Sequence, residues 1–190
     1  ADAVYAAVGT FIRDNFRPRH VVQLGYGQFY AARSMLDATG RRVLWGWIQE
    51  KPERAKAAMQ AGWSGVMSLP RVMSIGADGH VRVDPHPAIA MLEGTVFMQG
   101  DGQASGHAEG PNARIRVSFS AVAAGRITFG NRDAFLDLDY DPYRPGRELA
   151  ANGEAAPLPL AEQGRLDILV DASVIEIFTS GGVSLSTRAY

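Results

Sequence analysis

Short apolar-rich runs recur along the whole chain, each bounded by Gly, Pro, Asn or Asp: VVQLGYGQFYAARSML, RRVLWGWIQE, GVMSLPRVMSI, HVRVDP, TVFMQ, RIRVSFSAV, RITFG, AFLDLDY, RLDILVD, SVIEIFTS and VSLSTRAY. Runs of this length and β-branched content, punctuated by turn residues, predict an all-β protein. The alternation is explicit where Arg114, Arg116 and Ser118 interleave with Ile115, Val117 and Phe119, which sends one face to water and the other to a core. Such strands build sandwiches, barrels or propeller blades. Residues 166–182, LDILVDASVIEIFTSGG, read as two strands joined by a tight turn at Asp171-Ala172-Ser173.

Helical signals are confined to two stretches. PERAKAAMQAG has Pro52 at a helix start and Gly62 at its end, and PAIAMLEG runs from Pro87 to Gly94. Both are short connectors. The second divides an aromatic-rich region, residues 1–85, from a strand-and-turn region, residues 95–190, with 86–94 as a linker helix. Two segments lack periodicity and are expected to be loops: GDGQASGHAEGPN at 100–112 and DPYRPGRELAANGEAAPLPLAEQG at 141–164.

Composition narrows the function classes. Nineteen Lys and Arg against 20 Asp and Glu give a net charge of −1, which lacks the basic footprint of a nucleic-acid binder. Cysteine is absent, so disulfides, thiolate nucleophiles and cysteine metal sites are excluded, while the compartment, cytoplasmic or secreted, stays open. No apolar run approaches the roughly 20 residues that span a bilayer, and ADAVYAAVGTF has no signal-peptide order, so the chain reads as soluble with no membrane partner.

The candidate chemistry begins with Asp171 and Glu176, because paired carboxylates perform glycoside hydrolysis. A retaining enzyme holds them about 5 to 5.5 Å apart across a cleft. A hairpin offers no such cleft, so both acids read as structural, with a reassigned catalytic pair as the alternative. His20, His80, His86 and His107 fall in different loops without a metal-ligand spacing, so no metal is expected. No phosphate-cradling loop or dinucleotide fingerprint is present, and no cofactor is expected. Tyr26, Phe29, Tyr30, Trp45, Trp47 and Trp63 form the densest aromatic group. Rings of this kind hold sugars by stacking, or fill a β core. Trp45 and Trp47 are expected to divide, one turned inward and one elsewhere.

Three motifs in order, GYGQFYAARSMLDATGRRVLWGWIQE, GWSGVMSLPRVMSI and LDILVDASVIEIFTSGG followed by STRAY, are similar to the C-terminal half of glycoside hydrolase family 32, the invertase, levanase and inulinase group. YAAVGTF near the start resembles the strand that precedes that family's last propeller blade. The resemblance implies the last blade or blades of a five-bladed β-propeller, residues 1–85, followed by a β-sandwich of two packed antiparallel sheets, residues 95–190. It implies part of an enzyme that hydrolyses β-fructofuranosides, sucrose or fructans, with retention. Tyr30 and Trp47 match positions near the family's fructosyl site and are the substrate-binding candidates. Asp171 and Glu176 fall in its sandwich.

The family's catalytic acids lie in motifs upstream of this segment. Arg13-Asp14 is followed by Asn15 and Arg132-Asp133 by Ala134, neither giving the family's Arg-Asp-Pro, and there is no Cys for its Glu-Cys pair. No catalytic residue is therefore carried over, and the chain alone is expected to be inactive. The resemblance also implies that an upstream propeller segment or a second copy covers the open flank of the blade. The alternative is a non-catalytic carbohydrate-binding or assembly module derived from the family. One departure stands out: the family usually has an Asp two residues before the Gly of GQFYA, and this chain has Gly25 there.

Overall fold

The computed structural model describes residues 3–92, 110–120, 125–129, 136–140, 148–158 and 163–190. The predicted run TVFMQ, most of the 100–112 segment, His107 and Arg132-Asp133 lie outside the described residues. The described chain is nearly all β, as its alternation predicts, in three sheets.

A six-stranded sheet joins distant parts of the chain in the order β1 (Val4–Ile12), β2 (Asn15–Gly27), β15 (Ser184–Arg188), β14 (Val174–Thr179), β13 (Gln163–Asp171) and β8 (Asn112–Ser120). Its pairs are antiparallel except β15 with β2, which run parallel at Leu185 opposite Tyr26 and Ser186 opposite Gly27. A four-stranded sheet has the order β12 (Glu154–Pro157), β11 (Glu148–Ala151), β10 (Leu136–Tyr140) and β9 (Gly125–Phe129). The third sheet, here called the blade, has the order β3 (Phe29–Leu36), β4 (Arg42–Ile48), β6 (Arg71–Ile75) and β7 (Val81–Pro85), with the short β5 (Val66–Met67) also on β4.

The six-stranded sheet is the middle layer. Leu166, Ile168 and Val170 of β13, with Ile175 and Ile177 of β14 and Leu185 of β15, form one core with Leu149, Ala151 and Ala156 of the four-stranded sheet. Leu169, Val174 and Phe178 point the opposite way and form a second core with Leu24, Phe29, Leu44, Ile48 and Val83. Burial on both faces explains why RLDILVD and SVIEIFTS read as nearly continuous apolar runs rather than alternating ones. β8 keeps its predicted alternation: Ile115 and Val117 pack on the first core, while Arg114 pairs with Asp167 at 2.6 Å on the other face.

The connectors follow their end signals. Pro52 opens a 3-10 turn, Pro52–Arg54, that continues into α1 (Ala55–Ala61), and Gly62 closes it in the left-handed region at φ 76°. The predicted linker helix is a 3-10 turn over Pro87–Leu92, with residues 93 and 94 outside the described set. No described helix is long and apolar enough to cross a membrane.

One expectation is overturned. The 141–164 segment is not loop throughout, because it contains the β11–β12 hairpin, Leu149 paired with Ala156. Its four strand alanines have weak β propensity, which hid the strands. The turn is Asn152-Gly153, both at positive φ (49° and 83°), the combination a two-residue hairpin demands.

The turn between β3 and β4 is organised by Asp37. Its Oδ1 accepts the Thr39 and Arg41 N–H groups at 2.8 and 2.9 Å, and its Oδ2 accepts Arg41 Nε at 2.7 Å. His86, which follows β7, places Nε2 3.4 Å from the same Oδ2 while its Nδ1 accepts the Ala88 N–H. Loss of solvation pushes the Asp37 carboxyl up, but the Arg41 and Thr39 hydrogen bonds outweigh it and hold the group well below the usual carboxylate range. A depressed folded-state pKa stabilises the fold at pH values above the ordinary carboxylate pKa of about 3.9, and that stabilisation is lost as pH falls below it. Asp37→Asn is therefore expected to flatten the fall in stability between about pH 4 and pH 2. Urea unfolding at a series of pH values measures it, and a slope equal to the parent's would refute it.

Candidate functional site

The two substrate-binding candidates meet in the blade. Tyr30, near the start of β3, is directly opposite Trp47, near the end of β4, and Trp47 is in turn opposite Met67 of β5. Residues facing each other across antiparallel strands project to the same side, so the three side chains form a row. Tyr30 and Trp47 are both half-buried. The Trp47 indole Nε1 donates to the Ser64 carbonyl at 3.1 Å, and Gly65 lies flat against it: a Cβ there would come 2.0 Å from Nε1. The same loop carries Trp63, which is 55% exposed. Tyr30 and Trp47 thus form a ledge of two half-exposed aromatic residues on one face of the blade, a surface suited to the C–H faces of a sugar.

Trp45 does not divide from Trp47 as expected. Residues two apart on a strand share a face, and both tryptophans point away from the core that takes Leu44 and Ile48. Trp45 lies opposite Arg33, across a bulge that interrupts the β3–β4 register after Tyr30. Period two should have placed the pair together from the start.

On the buried side of the blade, Phe29 is the central ring, 1% exposed. It occupies the space beside two glycines: a Cβ on Gly46 would lie 2.1 Å from its Cε2, and one on Gly25 would lie 2.5 Å from its Cδ1. Gly25, the departure from the family motif, is thus the position against which Phe29 closes. In this arrangement no side chain fits there.

Above Phe29 sits Arg71, fully buried, its guanidinium 3.9 Å from the ring centroid. Glu176, also fully buried, projects from β14 to meet it. Arg71 Nε donates to Glu176 Oε2 at 3.0 Å, and Nη2 donates to the same oxygen. Nη1 donates to Ser184 Oγ at 3.0 Å and Nη2 to Ser186 Oγ at 2.6 Å. The other carboxylate oxygen, Oε1, accepts the Leu69 N–H at 2.6 Å. Both oxygens of Glu176 are therefore engaged and shut away from water. Asp171, at the end of β13, is exposed.

A second buried arginine crosses the same seam. Arg188 of β15 donates to Ser173 Oγ at 2.9 Å and approaches Glu50, just beyond β4, at 3.6 Å. Burial pushes its guanidinium pKa down, opposed by the Glu50 charge and reinforced by Arg54. Alongside, Lys51 Nζ donates to the Asn152 carbonyl of the β11–β12 turn at 2.9 Å.

His86 is committed to the Asp37 turn, and His20 and His80 are exposed. Among the described residues no three His, Asp or Glu side chains converge as a metal site. Sequence reasoning counted Phe29 only within the aromatic group, with a core as one of its two readings, and passed over Arg71, Ser184 and Ser186 as parts of the site's support. The available signal was a lone cation in SLPRVMSI and a lone anion in SVIEIFTS, two apolar strands that each carry one unmatched charge.

Comparison with known proteins places this architecture. Residues 1–85 match the Glycosyl hydrolases family 32 N-terminal domain, and residues 103–190 match the Glycosyl hydrolases family 32 C terminal. Sucrose-6-phosphate hydrolase of Vibrio alginolyticus is 30% identical over 184 residues, covering 90% of this chain and 36% of that protein. Sucrose-6-phosphate hydrolase from Lactobacillus gasseri superimposes with a TM-score of 0.78 at 21% identity, over 98% of this chain and 42% of that one. Fructan 1-exohydrolase IIa from Cichorium intybus, solved in complex with 1-kestose, gives a TM-score of 0.74 at 22% identity, over 97% of this chain and 48% of that one. The two solved structures establish the fold, propeller blade plus sandwich, and the chain spans less than half the length of each of these proteins.

The close fit around Phe29 has a measurable consequence. Gly46→Ala is expected to lower stability by about 1–3 kcal/mol through overpacking against the ring. Urea unfolding checks this, and an unchanged midpoint would show that Phe29 has room to move.

Proposed function

Because the chain belongs to family 32 of the glycosyl hydrolases, we propose that it is part of an enzyme that hydrolyses β-fructofuranosides, sucrose or fructans, by retaining double displacement. The observation that carries this reading is the Tyr30–Trp47 ledge at one end of the blade, in a chain whose relatives include sucrose-6-phosphate hydrolases and fructan exohydrolases.

In the proposed reaction a carboxylate attacks the anomeric carbon of the fructosyl unit while a carboxylic acid gives its proton to the departing sugar oxygen. Water, deprotonated by the same second group, then cleaves the fructosyl–enzyme ester and releases fructose. Both acids are assigned to a propeller segment outside these 190 residues, since Glu176 is locked to Arg71 and Leu69. Tyr30 and Trp47 contribute the wall on which the fructosyl ring rests. The same assignment gives the exposed apolar side chains of the β1–β2 hairpin and β3, among them Tyr5, Phe11, Met35 and Leu36, an upstream segment or a second copy to pack against.

The test is titration of the purified chain with 1-kestose and sucrose, with free fructose assayed in the same samples. The expected result is binding without fructose release, and Trp47→Ala is expected to weaken binding about tenfold through the lost stacking. Fructose release by the chain alone would overturn the placement of the acids. Binding that Trp47→Ala leaves intact would overturn the ledge as the sugar wall. Binding that stays without turnover when the upstream segment is supplied would favour a carbohydrate-binding module instead.

A further inference from the structure

We infer that Glu176 is a positioning residue for the Tyr30–Trp47 pair, acting from the middle sheet across the seam into the blade; the inference rests on reading that pair as the sugar-holding wall. Glu176 projects into the second core, on the opposite side of the blade from that pair. It acts by two routes that converge on the same short piece of backbone.

The first route runs through the guanidinium. Glu176 Oε2 fixes Arg71, with Ser184 and Ser186 holding the remaining donors, and Arg71 presses on the Phe29 ring at 3.9 Å. Phe29 immediately precedes Tyr30, and its ring abuts the backbone of Gly46, which immediately precedes Trp47.

The second route runs through the backbone. Glu176 Oε1 holds the Leu69 N–H, and the neighbouring Ser68 exchanges hydrogen bonds with Gly46: the Gly46 N–H donates to Ser68 Oγ at 3.0 Å and the Ser68 N–H donates to the Gly46 carbonyl at 2.8 Å. One residue earlier, Met67 is the register partner of Trp47. Both ring-bearing backbone positions are thus referred to one carboxylate on another sheet.

The charge matters as well as the shape. Arg71 has no solvent exposure, so a neutral partner leaves a buried cation uncompensated, and the guanidinium must turn to find other acceptors. Turning it removes the lid from Phe29. An apolar core residue of the same volume would fill the space without fixing either route.

The experiment labels the full chain with 5-fluorotryptophan, which gives signals from Trp45, Trp47 and Trp63, and identifies the Trp47 signal with Trp47→Phe. Glu176→Gln is expected to move the Trp47 resonance by more than its line width while that of the exposed Trp63 stays in place. Glu176→Asp, which keeps the charge, is expected to move it less and in the same direction. If Glu176→Gln does not melt cooperatively, the double variant Arg71→Met with Glu176→Leu removes both charges in an apolar exchange that folds tolerate, and carries the same expectation. Ile177→Ala, in the opposite core, is the control for general loosening and should leave the Trp47 signal where it was. A folded Glu176 or double variant with the parent's Trp47 signal overturns the inference, and so does an equal displacement in Ile177→Ala. Addition of 1-kestose separates the two readings: a Trp47 signal that responds to Glu176 but not to 1-kestose keeps the positioning role and removes the sugar wall.

Discussion

Two opposite charges buried without solvent contact, Arg71 and Glu176, set the terms on which the blade and the middle sheet meet. Taking such ions out of water costs several kcal/mol each, and their attraction offsets this only with good geometry and satisfied donors. Here every requirement is met by a different element. Ser184 and Ser186 come from β15, the carboxylate from β14, the guanidinium from β6, and the accepting ring below it from β3. The two layers therefore have one register relative to each other, since a slip of a single residue along β14 would turn Glu176 to the other face and leave Arg71 alone.

That register carries into the aromatic ledge because the blade is built with little slack. Phe29 fills the space above Gly25 and Gly46, and the backbone of Gly65 lies against the Trp47 indole. Small residues at these points let rings and strands approach closely. The ring that Arg71 covers is on one side of the blade and the ledge is on the other, so the blade transmits position through its thickness.

Much of this was legible in the sequence, and the parts that were not share a cause. The hairpin from Leu166 to Thr179 follows from its apolar strands and its turn, and α1 follows from Pro52 and Gly62. These are local signals. The β11–β12 hairpin is also local, yet its alanines gave no β pattern and only Asn152-Gly153 marked it. Family resemblance singled out Tyr30 and Trp47 but not their opposition across β3 and β4, while the shared face of Trp45 and Trp47 was available from period two alone. The Arg71–Glu176 pair spans 105 residues, and no periodicity reports a contact of that range. What sequence does show is each charge standing by itself in an apolar strand, half of a pair whose other half must be sought elsewhere.

The parallel seating of β15 between β14 and β2 orders events during synthesis. Residues 15–27 leave the ribosome well before the strand that joins them to the middle sheet, 184–188, and Ser184 reaches back 160 residues to the Leu24 carbonyl. Contacts of such separation form slowly, since a long loop must close before any of them is made. Until the ribosome has released that strand, β2 has one unpaired side and Arg71 has no partner. Until then the blade presents an open strand edge and an apolar seam, the kind of exposed surface that makes a partly folded chain prone to association.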